Sequence, residues 1–257
     1  MLFAFDLDRT VVTDDGLLPD TIADAIAKVR EAGHHVTVLT GRARASAQLY
    51  LERLDVTGPF SVNHGAVVMR DPVTEMRRVT LPAHDVHALV SPYLHHDVVE
   101  FSCMVDDVLF VKDPGDPRWT WAHAVNRSIT RFTADFGFAA DKVLFAASET
   151  TVTVQSRVAR DLPHLEQYLW GDGFLEVIAA GADKGTALAS IAQHLGYAQR
   201  EVVAFGDGLN DVSMLRWAGH AVVVGPHAHE LALAEADERI ASPEEGGVAH
   251  WLAANAA

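Results

Sequence analysis

The chain of 257 residues is 49% hydrophobic and 21% charged, which is typical of a globular protein with one large domain or two modest ones. Its formal net charge of −15 at pH 7 argues against a nucleic-acid partner, because binding to phosphates depends on basic patches. No apolar run reaches the roughly 20 residues that span a bilayer, and the start lacks the basic segment of a signal peptide. The single cysteine, Cys103, excludes an internal disulfide. We therefore expect a cytoplasmic protein that binds neither nucleic acid nor a membrane.

At both ends of the chain, strand patterns alternate with helix patterns. In chain order they predict a strand at 2–5, a helix that ends at Gly33, a strand at 35–40, a helix over 45–54 and a strand at 60–63. Near the other end they predict a helix at 184–195, a strand at 202–205, a helix from Asn210, a strand at 221–225 and helices at 231–236 and 248–253. This alternation indicates an α/β fold with a parallel sheet, in which functional residues collect at the carboxyl ends of the strands.

The middle of the chain has a different pattern. Segments rich in β-formers predict strands in "VVEFSCMVDDVLFV" (98–111), "KVLFAAS" (142–148), "TVTVQS" (151–156) and "FLEVIA" (174–179). Helical patterns lie around 84–95, 117–136 and 160–170. These elements predict a separate α+β domain with a mainly antiparallel sheet. We expect residues 82–180 to form this inserted domain and residues 1–81 and 181–257 to form one discontinuous core.

Polar residues cluster where the predicted core elements end or begin. They lie in four short sets, which are Asp6, Asp8 and Thr10 in "DLDRT", Thr40, Gly41 and Arg42 in "TGR", Lys184, and Asp207, Asn210 and Asp211 in "GDGLND". Alternation along an extended chain would place the three residues of "DLDRT" on one side. Each set alone is weak evidence, because acids at loop ends commonly cap helices. Four sets at element ends predict one shared site.

With these motifs, the sequence resembles the haloacid dehalogenase (HAD) superfamily of phosphatases, in its Cof-type branch. The first motif is matched by "DLDRT", the second by "LTGR", the third by "ADKG" and the fourth by "GDGLND". The resemblance implies a Rossmann-like parallel-sheet core with a large α/β cap inserted after the third core strand. The spacing agrees, since the stretch between Asp8 and Thr40 is too short for a cap and the stretch between Thr40 and Lys184 is long enough.

The resemblance also implies roles for the four aspartates. Asp6 would be the nucleophile that forms an aspartyl-phosphate, and Asp8 would act as general acid and then as general base. Asp6, the backbone carbonyl of Asp8 and Asp207 would bind a Mg²⁺ cofactor, with Asp211 behind them or acting through water. This explains why acids stand in a glycine-rich turn that otherwise attracts anions, because they hold the metal rather than face the phosphate.

The phosphate itself would be bound by a second group of residues. The resemblance assigns its oxygens to Thr40, the amide of Gly41, Lys184 and Asn210. A lysine at a helix start opposes the helix dipole, which favours a functional role for Lys184 over that of a solvated surface residue.

Three further residues are candidates to lie next to the substrate, namely Arg9, Arg42 and His64. The family usually has glycine at the position of Arg9, whose side chain would point to solvent or reach the cap. It commonly has asparagine-glycine-alanine where this chain has "NHGA" (63–66), so His64 is an insertion or replacement at the edge of the site.

The expected function is that of a magnesium-dependent phosphatase that hydrolyses a small phosphorylated metabolite. A phosphomutase using the same aspartates and a non-enzymatic sensor of a phosphorylated ligand are the alternatives. A dinucleotide-binding fold fits less well, because the third glycine is absent and Asp207 would face the pyrophosphate. The motifs leave sugar phosphates, a flavin precursor and pyridoxal phosphate open as substrates, and either a monomer or a small homo-oligomer is compatible with them.

Overall fold

A computed structural model describes residues 1–124, 127–170 and 173–256. The chain divides into two compact units, of which the first comprises Met1–Arg78 and Asp183–Ala257 and the second Val79–Ala182. These divisions lie two or three residues from the boundaries predicted from the sequence. The chain thus leaves the first unit once and later returns to it.

The first unit begins with β1 (Leu2–Phe5), α1 (Asp20–Glu31), β2 (His35–Val38), α2 (Arg44–Arg53), β3 (Phe60–Val62), β4 (Val67–Met69) and β5 (Glu75–Arg78). The second unit contains α3 (Ala83–Val90), β6 (Glu100–Val105), β7 (Val108–Val111), α4 (Thr120–Ala124), β8 (Ser128–Arg131), β9 (Lys142–Ala146), α5 (Thr151–Asp161), β10 (Glu166–Trp170) and β11 (Phe174–Ile178). The first unit then resumes with α6 (Lys184–Leu195), β12 (Val202–Gly206), α7 (Val212–Trp217), β13 (His220–Val224), α8 (Glu230–Ala234), β14 (Glu238–Ile240) and α9 (Gly247–Asn255).

A parallel sheet forms the centre of the first unit. Its strand order is β14-β13-β12-β1-β2, and each neighbouring pair is parallel. The α/β fold predicted from the alternation of elements is confirmed. The apolar stripe of α6 is buried against this core, and the helix is capped by Gly196, whose φ of 79° is left-handed. Because β1 and β12 are adjacent, the loops that follow them lie next to each other.

Three features of the first unit differ from the predicted pattern, and the first is β14, a strand of the parallel sheet that the sequence pattern missed. The strand β3 forms an antiparallel sheet with β4 and β5, two strands that the sequence pattern missed. An isolated bridge between Leu39 and Ser61 joins β3 to the segment that follows β2. The helix predicted from Asn210 begins at Val212, after a 3₁₀ turn. The turn between β3 and β4 is hydrogen-bonded to the segment after β2, because the amide of His64 donates to the carbonyl oxygen of Thr40.

The second unit contains a six-stranded sheet with the order β10-β11-β9-β6-β7-β8. All neighbouring strands of this sheet are antiparallel except the pair β7–β8. This agrees with the mainly antiparallel sheet predicted from the sequence. Among the described residues of the whole chain, none of the helices has the length and apolar character needed to cross a membrane.

The prediction was wrong for three segments of the second unit. The segment "TVTVQS" belongs to α5, in which Thr151, Val154 and Val158 are buried, because their helical spacing outweighs the β-propensity of single residues. The predicted helix at 160–170 is the end of α5 followed by β10, which pairs with β11. Within the predicted helix at 117–136, α4 is helical but Ser128–Arg131 form the strand β8; residues 125 and 126 of that prediction lie outside the described residues.

Candidate active site

Two acids stand side by side at the carboxyl ends of the central strands. Asp6 follows β1 and Asp207 follows β12, and the amide of Asp6 donates a hydrogen bond to the carbonyl oxygen of Phe205 at 3.0 Å. In the described part of the chain, Asp6, Asp207 and Asp211 form a group whose carboxylate oxygens lie within 4.8 Å of one another. All three side chains are buried. The first and fourth motifs therefore meet at one acidic cluster, which we define as these three residues.

The loop after β12 folds around the side chain of Asp211. Its Oδ2 atom accepts hydrogen bonds from the amides of Asp207 at 3.0 Å and Gly208 at 2.9 Å. A Cβ atom at Gly206 would lie 2.6 Å from the Cβ of Asp211, so a glycine is needed there to make room. The glycines of "GDGLND" thus bring a carboxylate into the loop, where it can fix the backbone that carries Asp207.

Lys184 joins the cluster from the first position of α6. Its Nζ donates to Oδ1 of Asp6 and to Oδ1 of Asp211, each at 2.5 Å, and its exposed fraction is 0%. Burial acts to lower the pKa of Lys184, but the carboxylates of Asp211 and Asp6 outweigh it, and the pKa rises above its usual value. The lysine therefore stays cationic despite its position at a helix start.

The three acids of the cluster exceed the charge that Lys184 supplies. Burial, followed by the charge of Asp211, raises the pKa of Asp6 well above its usual value and that of Asp207 to about 7. Carboxylates whose ionised forms are disfavoured in this way gain stability when a further cation lies among them. The cluster has the hard oxygen ligands that Mg²⁺ prefers.

Arg9 contacts this cluster from the turn after β1. Its Nε lies 3.5 Å from Oδ2 of Asp207 and 3.8 Å from Oδ1 of Asp14, and 49% of its side chain is exposed. Its φ of 56° is left-handed, which is the conformation that glycine adopts most easily. This left-handed conformation explains why the family usually has glycine at this position. In this chain the position is occupied by Arg9, whose side chain points towards Asp207.

Asp8 is paired with Arg42. The guanidinium donates through Nε to Oδ2 of Asp8 at 2.9 Å and through a terminal nitrogen to Oδ1 at 2.5 Å, and it lies 4.6 Å from the ring centroid of Tyr50. The expectation that "DLDRT" is extended was wrong, because the amides of Thr10 and its next two neighbours all donate to the carbonyl oxygen of Leu7. The residues after β1 therefore form a turn rather than a continuation of the strand, and the charge of Asp8 still contributes to the raised pKa of Asp6.

The remaining predicted residues also meet in the first unit. Thr40 is buried, and its hydroxyl accepts a hydrogen bond from the amide of Arg42 at 3.1 Å. Asn210 contacts His64 through its Nδ2 atom, 3.3 Å from the ring Nδ1. His64, expected at the edge of the site, is only 1% exposed and packs against Gly41. The sequence did not predict the burial of His64, and the adjacent asparagine and histidine in "NHGA" are the signal of the turn that buries it.

The acidic cluster and the buried lysine lie together at the carboxyl edge of the parallel sheet. The model of the haloacid dehalogenase-like hydrolase family matches residues 3–252. The chain belongs to this family, as the four motifs predicted.

Individual relatives cover nearly the whole chain. The 5-amino-6-(5-phospho-D-ribitylamino)uracil phosphatase YitU of Bacillus subtilis is 28% identical over 268 residues, which cover 98% of this chain and 96% of the relative. The HMP-PP phosphatase of Serratia proteamaculans is 29% identical over 258 residues, which cover 98% and 93%. A solved HAD subclass IIB sugar phosphatase superposes with a TM-score of 0.84 at 21% identity, covering 98% of each chain. The fold is thus shared over both units, and relatives at the level of sequence are named phosphatases.

Proposed function

We propose that this protein is a magnesium-dependent phosphatase that hydrolyses a small phosphorylated metabolite through an aspartyl-phosphate intermediate. The proposal rests chiefly on one observation, the buried carboxylate of Asp6 held 2.5 Å from the Nζ of Lys184 within the acidic cluster. The names of the relatives, which are phosphatases of phosphorylated metabolites, support the same reaction.

The acidic cluster would hold the magnesium ion. The ion would be bound by carboxylate oxygens of Asp6 and Asp207 and by the backbone carbonyl of Asp8. Asp211 would support this arrangement by accepting hydrogen bonds from the loop amides. When bound, Mg²⁺ supplies positive charge that offsets the repulsion between an attacking carboxylate and a phosphate dianion.

The reaction would proceed in two displacements at phosphorus. An oxygen of Asp6 attacks the phosphorus atom, and the bond from phosphorus to the ester oxygen breaks as the new bond forms. Asp8 donates a proton to the leaving oxygen and then takes one from the water that attacks the aspartyl-phosphate, which releases inorganic phosphate and restores Asp6. The structure pairs Asp8 with Arg42, and the first transfer requires the protonated form of Asp8.

Four groups would bind the phosphoryl oxygens during both steps. Lys184 supplies a charged donor, Thr40 a hydroxyl, Gly41 a backbone amide and Asn210 a side-chain amide. Donors that are already in place stabilise the developing charge without reorganising during the reaction.

A phosphate-release screen tests the proposed function. The purified protein is assayed with Mg²⁺ and with EDTA over a panel of sugar phosphates, pyridoxal phosphate and phosphorylated flavin and pyrimidine precursors. Release of inorganic phosphate with Mg²⁺ alone is the expected result. An isomerised sugar phosphate without phosphate release would identify a phosphomutase instead, and ligand binding without any turnover would identify a sensor.

We expect Arg9→Asn to bind magnesium more tightly than the wild type. The change removes a positive charge 3.5 Å from Asp207, while asparagine tolerates the left-handed backbone at this position. Because the guanidinium is half exposed and therefore screened by solvent, we expect a modest gain of about 3- to 10-fold in affinity. Isothermal titration with Mg²⁺ measures it, and Arg200→Asn, at an exposed arginine, is the matched control. Unchanged or weaker binding by Arg9→Asn would contradict the placement of the metal next to Asp207.

We expect the second unit to select the substrate. Exchanging residues 79–182 for the equivalent segment of the HMP-PP phosphatase should shift the ranking of substrates in the release screen towards HMP-PP. Magnesium dependence should persist, because the acidic cluster lies in the first unit. A folded chimaera that keeps the original ranking would show that specificity resides in the first unit.

A further inference from the structure

The turn after β3 has two successive residues with left-handed backbone, Asn63 with a φ of 51° and His64 with a φ of 60°. Few residues other than glycine adopt this conformation, although asparagine and histidine do so more readily than most. The turn is hydrogen-bonded to the loop after β2. The amide of Asn63 donates to the carbonyl oxygen of Arg42 at 2.8 Å, and the amide of His64 donates to the carbonyl oxygen of Thr40 at 3.0 Å. The backbone thus directs His64 towards the residues that follow β2.

The imidazole of His64 covers the Cα atom of Gly41. A Cβ atom at residue 41 would lie 2.3 Å from Cε1 of the ring and 2.8 and 2.9 Å from its two nitrogens, well inside van der Waals contact. Gly41 is absent from the glycines with positive φ, so its lack of a side chain serves to make room for the ring. His64 and Gly41 therefore form one packed unit.

The same ring fixes the side chain of Asn210. The Nδ2 atom of Asn210 lies 3.3 Å from Nδ1 of His64, and both side chains are buried. An amide nitrogen can only donate, so Nδ1 of the ring is the acceptor in this contact. The Oδ1 atom of Asn210 lies over Gly208, where a Cβ atom would be only 2.6 Å away. The two contacts together determine which way the amide faces.

We propose that His64 is a positioning residue for the transferring phosphoryl group. Its ring holds in place two groups from different motifs, the amide of Gly41 and the carboxamide of Asn210, and so sets how well they bind the phosphoryl oxygens. This inference rests on the proposed function, which assigns both groups to the phosphate. Orthovanadate is a suitable probe, since it resembles the five-coordinate transition state, where positioned donors contribute most.

Two substitutions separate the contacts of the ring. His64→Asn keeps an oxygen close to the position of Nδ1 and tolerates the left-handed backbone, but removes the atoms that pack on Gly41. His64→Gly removes both contacts. We expect vanadate inhibition to weaken about 3-fold in His64→Asn and about 10-fold or more in His64→Gly, with kcat falling in the same order and KM changing less. His194→Asn, at an exposed position of α6, is the control and should match the wild type.

A double-mutant cycle tests the packing directly. Gly41→Ala should impair vanadate binding strongly in the wild-type background, because the new methyl group collides with the ring. In the His64→Gly background the ring is gone, so adding Gly41→Ala should cost clearly less. If the losses of vanadate inhibition caused by the two single substitutions simply multiply in the double mutant, the proposal is overturned.

The remaining outcomes separate the inference from the function on which it rests. Magnesium affinity, measured by isothermal titration, should be unchanged in the His64 variants. A folded His64→Gly protein with a lower melting temperature but wild-type vanadate inhibition would overturn the inference alone and leave the phosphatase proposal intact. A wild-type protein that neither releases phosphate nor binds vanadate would overturn both.

Discussion

The Asp6→Asn variant should lose phosphatase turnover while keeping its fold. Asparagine conserves the volume of the buried side chain but cannot act as the nucleophile, so we expect kcat to fall by about 1,000-fold or more. The melting temperature in EDTA should not decrease, because burial and the charge of Asp211 already disfavour the ionised form of Asp6. Phosphate release under saturating substrate and thermal unfolding measure the two effects.

A matched control distinguishes loss of the nucleophile from a general loss of negative charge. Asp24→Asn makes the same chemical change at an exposed position of α1 and should retain wild-type turnover. Excess Mg²⁺ should fail to restore Asp6→Asn, since its defect is chemical as well as electrostatic. Turnover near the wild-type rate in a folded Asp6→Asn protein would show that another group attacks the phosphorus atom.

The alternation of strands and helices was sufficient to predict the core and the edge at which polar residues collect. Asp6 and Asp207 could be placed together from the sequence because both end buried strands, and parallel strands present their carboxyl ends at one edge. The contacts of Lys184 with Asp6 and Asp211 could not be predicted from spacing, because these residues come from three distant segments. The resemblance to a family supplied the reason for considering them together.

The misjudged features have local physical causes. In α5, β-branched residues favour a strand individually, whereas the spacing of Val154 and Val158 places them on one buried helical face. The burial of His64 against Gly41 depends on two consecutive left-handed residues, and a single sequence indicates such a turn only weakly. The direction of the Arg9 side chain follows from the same type of backbone conformation. Sequence patterns thus give the elements more reliably than the turns that aim individual side chains.

Lys184→Met should impair both stability and catalysis. The substitution keeps a long apolar side chain but leaves the buried carboxylates of Asp6 and Asp211 without the cation that lies 2.5 Å from each. Breaking a buried ion pair in this way typically costs about 3–5 kcal/mol of unfolding free energy, and we expect a loss of that order in EDTA. Turnover should fall about 100-fold or more, because a charged donor to the phosphoryl group is lost.

Magnesium gives this prediction its sharpest test. A cation bound among the three acids would replace part of the missing charge, so saturating Mg²⁺ should restore some of the stability of Lys184→Met while leaving turnover low. Urea denaturation with Mg²⁺ and with EDTA measures the stability difference, and Lys28→Met, at an exposed lysine of α1, should show neither effect. If Lys184→Met is as stable as the wild type in EDTA, the buried lysine does not balance the acidic cluster. If its turnover is also unchanged, Lys184 does not act on the phosphoryl group, and the assignment of the third motif to phosphate binding is wrong.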